Sequence, residues 1–230
     1  MNFSTLFRLR ENLNLDKKTL VILRWIAIIG QFTAVNLVYF YLKLDFPVLI
    51  AYIILFFGFL TNSYLQFGVR SITLKDFYAS IFLIYDLIQL TGLLYLTGGI
   101  SNPFSILMII PPIVSSTFLS MGTTIILGIL TILFLFLLTI FHYPLPGIHD
   151  HSITFPKLYL IGYLLAIIVG LVFLSYFGIR FSGESKRRSD AINKVQQVIA
   201  KEYELESLGG QAAAAALHPA HPRALRSRRR

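Results

Sequence analysis

Apolar side chains in this chain come in near-continuous blocks, not at the two-residue or three-and-four spacing of half-buried strands and surface helices. A helix needs about 20 mainly apolar residues to cross a hydrocarbon layer, because each residue advances it about 1.5 Å through roughly 30 Å. Six blocks meet or approach that length, at residues 21–42, 46–68, 77–97, 104–119, 122–141 and 157–180, the fourth being the weakest. The pattern predicts an all-α polytopic membrane protein with six transmembrane helices and short connections. Only the fifth connection, "HYPLPGIHDHSITFPK", is long, and its Pro and Gly content marks turns.

Beyond residue 180 the polar spacing changes. "SGESKRRSDAINKVQQVIAKEYELESL" sets Ile192, Val195, Ile199 and Leu205 at roughly three-and-four spacing among charges, which predicts a cytoplasmic juxtamembrane helix. A pattern this short fits a single amphipathic helix as well as a coiled coil. The closing "GGQAAAAALHPAHPRALRSRRR" has no Ile, Val or Phe to build a core, so a disordered basic tail is expected, with contact to anionic lipid as the other reading. The predicted divisions are a basic cytoplasmic arm at 1–20, a six-helix membrane domain at 21–180, a linker helix at 181–210 and an Ala/Pro/Arg-rich disordered tail at 211–230.

Composition agrees: 56% hydrophobic residues, 13% charged and a mean hydropathy of +0.71 exclude an ordinary soluble domain. The formal charge of +9 raises nucleic acid as a partner, but its placement argues for topology instead. Arg8, Arg10, Lys17, Lys18 and Arg24 precede or open the first block, Arg70 and Lys75 follow the second, and Arg180, Lys186, Arg187 and Arg188 follow the sixth. The other side has only Lys43 and Lys157, so both termini are expected in the cytoplasm. Trp25, Tyr39, Tyr41, Tyr143 and Tyr159 fall near helix ends, where interfacial anchors belong. No cleavable signal peptide is expected, since the first apolar block is long enough to stay in the bilayer. Cysteine is absent, so any redox response within this chain must use a bound molecule.

The candidate chemistry centres on "LTGGISNPFSI", residues 96–106, at the outer end of the third block. A structural explanation covers most of it: Gly98 closes a helix in a left-handed cap, Asn102 caps the next helix and Pro103 occupies its first position. Gly99 and Phe104 are left over. A ligand explanation uses the same groups. A quinone has two carbonyls that need donors, which Asn102 and backbone N–H groups at Gly98 and Gly99 can supply, and a ring that can stack on Phe104.

Asp86 lies about 16 Å along the helix axis from Thr97, near mid-membrane, where a charge costs about 2.5–3.5 kcal/mol on insertion scales. It must face the bundle interior, paired or protonated, and Gln89 shares its face. The two serve either as interhelical glue or as a switch. His142, His149 and His151 suggest a metal, but in a Pro/Gly-rich loop a solvated turn is the better reading, and no metal site is assigned. Pro111 and Pro112 are expected to kink the fourth helix.

The run "DLIQLTGLLYLTGGISNPF" resembles the membrane sensor domain of the RegB/PrrB family of redox-responsive sensor histidine kinases, whose heptapeptide is G-G-x-x-N-P-F. Gly98, Gly99, Asn102, Pro103 and Phe104 match every fixed position, and "LRWIAIIGQ" in the first helix is also similar. The resemblance covers residues 15–215 and implies a six-helix domain in the bacterial inner membrane. It also implies ubiquinone or a related quinone as the sensed ligand at the five heptapeptide residues; Asp86 and Gln89 stand beside these as switch or support residues on their own chemistry alone. A homodimer is implied as well, and a response regulator as partner of an intact family member. The phosphoacceptor box H-E-L-G-T-P-L is missing after "LGGQAAAAA", and His218 lacks the neighbours that would make it a phosphoacceptor. No catalytic residue is assigned, and the chain is expected to be inactive alone, the family's redox-active cysteine belonging to the missing part. Two alternatives stay open: a small carrier whose path is lined by Asp86, Gln89, Asn36 and Asn62, and a nonfunctional remnant of a kinase gene.

Overall fold

The computed structural model describes residues 15–145 and 155–217. The expectations for Arg8, Arg10, His149, His151, His218 and the rest of the tail after Leu217 lie outside those residues.

Helix α1 (Lys17–Asn36) continues through a π-helical turn, Leu37–Tyr41, and α2 (Val48–Ser63) through another, Tyr64–Gly68. Then come α3 (Asp76–Leu96), a 3₁₀ helix Pro103–Ile109 leading into α4 (Ile110–Phe118), α5 (Met121–Ile140) and α6 (Lys157–Leu217). Five of these are long and apolar enough to cross a membrane. A two-residue pairing of β1 (Leu15–Asp16) with β2 (Thr73–Leu74) ties the start of α1 to the segment before α3. Lys17 reinforces it by donating through Nζ to the Val69 carbonyl at 2.7 Å.

Polarity is inverted relative to a water-soluble bundle. Arg24, Asn62, Gln89, Ser105, Ser115 and Thr131 are buried, while Ile26, Phe57, Ile129, Leu133, Leu165 and Phe173 face outward. Lipid makes this sensible, since outward apolar groups are already solvated and polar groups must find partners inside.

The fourth span departs from expectation in a way its prolines explain. Pro111 and Pro112 have no N–H and would clash with carbonyls one turn back, so an α-helix can start at them but not pass through them. They are the second and third residues of α4, within its first turn, and the chain winds as 3₁₀ up to Ile109. Seven 3₁₀ residues and nine α-helical ones reach about 28 Å, against about 24 Å for sixteen in an α-helix. The tighter winding lets a short segment run nearly the depth of its neighbours.

Its two ends confirm that depth. Asp76, opening α3, accepts from the Ser120 backbone N–H at 2.7 Å and from the Ser120 and Thr123 hydroxyls, clasping the α4–α5 turn. At the other end the Tyr143 N–H donates to the Tyr95 carbonyl at 2.8 Å, joining the ends of α5 and α3. Along α6, Tyr163 donates to the Pro103 carbonyl at 3.1 Å and Ser182 to the Thr117 carbonyl at 2.7 Å. Those two α6 residues are about 28 Å apart along the helix axis. Gly178 permits the approach, because a Cβ there would collide with the Ser116 hydroxyl.

Helix α6 runs further than the sequence reading placed it. It takes in Gln211–Leu217, assigned above to the tail, and alanine's high helix propensity accounts for the extension. The described residues after Gly183 form a unit of their own, and within its helix Arg188 pairs with Glu184 at 2.6 Å.

Candidate functional site

The turn after α3 is built as its residues dictate. Gly98 and Gly99 both have positive φ, +107° and +56°, which glycine alone adopts without strain. They are also closely covered: a Cβ on Gly98 would lie 3.0 Å from the Leu145 Cα, and one on Gly99 would strike the Leu138 carbonyl and His142. Gly99 is thus explained by conformation and by the close approach of the end of α5.

Asn102 caps the 3₁₀ helix, its Oδ1 accepting from the Phe104 N–H at 2.9 Å, with Pro103 at the first position. Its Nδ2 donates both to the Thr97 hydroxyl at 2.7 Å and to the Thr97 carbonyl at 3.1 Å. An amide nitrogen has two hydrogens, so Asn102 is fully occupied in holding the turn shut.

Below this turn a cavity of about 610 Å³ lies between α1, α3 and the fourth span. It exists because α1 presents Ala27, Gly30 and Ala34 to it, and at Gly30 even a Cβ would meet open space. Asn102, Pro103 and Phe104 line its outer end, and Phe104 is 47% exposed. Gly98 and Gly99 are buried under the end of α5 and do not line it.

At the cavity's other end, about 16 Å along α3, stands an ion pair that sequence reasoning missed. Arg24 Nε donates to Asp86 Oδ1 at 2.8 Å and to Oδ2 at 3.1 Å, and Nη2 donates to the Thr61 hydroxyl at 3.0 Å. The guanidinium lies 5.1 Å from the Phe82 ring centroid and 5.6 Å from that of Tyr85. Arg24, counted above as a charge opening the first helix, is an interior residue whose side chain is 2% exposed. The signal for it was Asp86 itself: a mid-membrane carboxylate needs a counter-charge, and Arg24 is the cation set deepest in the first block.

Gln89 joins this layer by donating from Nε2 to Gln31 Oε1 at 2.8 Å. Gly58 makes room for it, since a Cβ there would overlap the Gln89 amide. Asp86 and Gln31 line the cavity; Gln89 lies behind it. The site is therefore a mostly aliphatic pocket with a closed polar turn at one end and a buried ion pair at the other. It suits a neutral, largely apolar molecule carrying a few oxygens.

The chain is 35% identical over 200 residues, 86% of its length, to the sensor histidine kinase RegB of Cereibacter sphaeroides. A second RegB sequence of the same species matches at the same identity and extent. The chain spans 43% of the length of those relatives, and the match falls on their N-terminal part. No family model matches, and no solved structure matches. Over those 200 residues the chain is similar to the RegB sequences.

Proposed function

We propose that this chain is the membrane sensor region of a two-component signalling kinase of the RegB type, and that it reads the redox state of the lipid-soluble quinone pool. One observation carries the ligand half of this reading. The apolar cavity between α1, α3 and the fourth span is walled by Asn102, Pro103 and Phe104 of the heptapeptide. A quinone's isoprenoid tail matches the aliphatic walls, and its carbonyls match the small number of polar groups.

The fourth span is suited to pass the signal on. One face, with Phe104, Leu107 and Pro111, lines the cavity, while its carbonyls at Pro103 and Thr117 are held by Tyr163 and Ser182 of α6. A ligand that shifts this span pulls on α6 at two points. Oxidised and reduced quinone must favour different arrangements for this to signal, since equal affinity for both states shifts nothing. In the proposed topology the chain crosses the bacterial inner membrane six times with both termini in the cytoplasm, following the positive-inside pattern. A homodimer and a response regulator are the partners proposed for the complete kinase.

A carrier is not favoured. Of the four polar residues that would line a path, Asn36 accepts from the Tyr52 hydroxyl, Asn62 donates to the Val21 carbonyl and Gln89 bonds Gln31. Only Asp86 faces the cavity.

The test is a cavity-filling variant. Gly30→Leu places a side chain in open space on a helix, so the fold is retained while the pocket is occupied. Equilibrium binding of a short-chain ubiquinone to the purified chain should be lost in Gly30→Leu and present in wild type. Binding of equal strength to both would overturn the proposed site.

A further inference from the structure

We infer that Gln31 of α1 is the side chain that hydrogen-bonds the ligand's ring. The ring rests against Asn102, Pro103 and Phe104 at the outer turn, and Gln31 Nε2 donates to its inward-facing carbonyl. This rests on the quinone reading above and adds a recognition residue to it.

The seat of the ring follows from where flat apolar surface is available. Phe46 and Phe104 are the aromatic side chains that line the cavity, and both stand at its outer end, while the walls further in are aliphatic. The donor follows from the polar side chains of the lining, which are Arg24, Gln31, Asp86, Thr97 and Asn102. Asp86 is the carboxylate of an ion pair and has no hydrogen to give. Its partner Arg24 lies about 16 Å down α3 from the turn, too far for a ring resting there. The Thr97 hydroxyl donates to the Leu93 carbonyl at 2.8 Å, and Asn102 Nδ2 has both hydrogens on Thr97. Gln31 remains. Its Oε1 accepts from Gln89 Nε2 at 2.8 Å, and among the described residues its Nε2 has no acceptor. That nitrogen is not sealed in the interior as Arg24 Nη1 and Gln89 Oε1 are.

Position and chemistry agree with the assignment. Helix α1 turns Arg24, Ala27, Gln31, Ala34 and Val38 to the cavity at three-and-four spacing, which puts Gln31 at the centre of the facing stripe. Gln89 lies behind the cavity wall, so an amide whose oxygen is bonded there carries its nitrogen on the other branch. Gln89 and Thr97 are eight residues apart, about 12 Å along α3. That separation suits a quinone ring hydrogen-bonded at one carbonyl and touching the turn with its other edge. Aliphatic walls offer an amide N–H nothing to bond, so an incoming carbonyl oxygen fills a deficit and displaces no existing bond. A neutral donor also favours a neutral acceptor over an ion.

Two variants test this with short-chain ubiquinone as probe and the full chain in detergent. Gln31→Met keeps the length of the side chain and removes its amide. Gln31→Met with Gln89→Met removes both amides and leaves no orphaned partner behind the wall. Each should bind about three- to tenfold more weakly, the scale of one neutral hydrogen bond. Each should also abolish the downshift of one carbonyl stretch expected in the infrared difference spectrum of carbonyl-labelled quinone bound to wild type. A monodisperse, helical variant that binds with wild-type affinity, or binds more weakly with the downshifted band intact, would overturn the assignment while leaving the cavity as the quinone site. So would wild type that binds with neither carbonyl downshifted. Should wild type itself fail to bind, the quinone reading falls and this inference with it.

Discussion

The two polar ends of the cavity are organised in opposite ways. At the outer turn the bonds of Asn102 join near neighbours in sequence, Thr97 with Asn102 and Asn102 with Phe104, and the Pro103 carbonyl reaches across to Tyr163 of α6. At the inner end the bonds join residues far apart, Arg24 with Asp86, Arg24 with Thr61 and Gln31 with Gln89, and they leave Arg24 Nη1 and Gln89 Oε1 unpaired. The outer turn is a closed clasp that sets the shape of the cavity's mouth. The inner cluster is a buried network whose members hold three helices together and leave two polar atoms unpaired. A cap whose side-chain donors are bonded within its own turn is well placed to position neighbours, and poorly placed to donate to a ligand.

The sharpest way to break the contrast is at the ion pair. Asp86→Leu leaves Arg24 as an uncompensated buried charge and should cost about 3–5 kcal/mol, whereas Arg24→Met combined with Asp86→Leu should recover most of that. Unfolding titrations in mixed detergent micelles would show it. Next comes the turn: Gly99→Ala forces a side chain into a left-handed conformation against the Leu138 carbonyl and His142, and should cost about 1–3 kcal/mol by the same titration. Asn102→Ala removes a cap and both bonds to Thr97, with an expected loss of about 1 kcal/mol. Tyr163→Phe frees the Pro103 carbonyl from α6 at about 0.6 kcal/mol, typical of interhelical bonds in membranes. Phe104→Ala should change stability least, within about 0.5 kcal/mol. Its half-exposed ring at the cavity mouth should instead show in a several-fold weaker affinity.

The same division governs what could be read from the sequence. Helix positions followed from block length, and the caps at Gly98, Asn102 and Pro103 followed from local turn chemistry, because both depend on residues within a few positions of one another. Asp86 was placed correctly in the interior by the cost of a charge in lipid. Its partner was missed because Arg24 sits early in the first block and resembles a topology charge, and no spacing rule links residues 62 apart. The 3₁₀ course of the fourth span was half legible: the proline pair announced an interruption, but whether it would kink a helix or begin one depended on the neighbours it had to match in depth. Gly99 had only half its reason in the turn, its positive φ. The other half is the end of α5, which only the fold brings over it.

The central claim is that a quinone occupies the space between α1, α3 and the fourth span, and it is tested most directly by photo-crosslinking. A photoreactive ubiquinone analogue, applied to membranes containing the full chain, should label peptides of α1 around Gly30 and of the fourth span around Leu107, and should lose that labelling in Gly30→Leu. Labelling spread over the outward face of α5 at Ile129 and Leu133, and unchanged in the variant, would contradict the account.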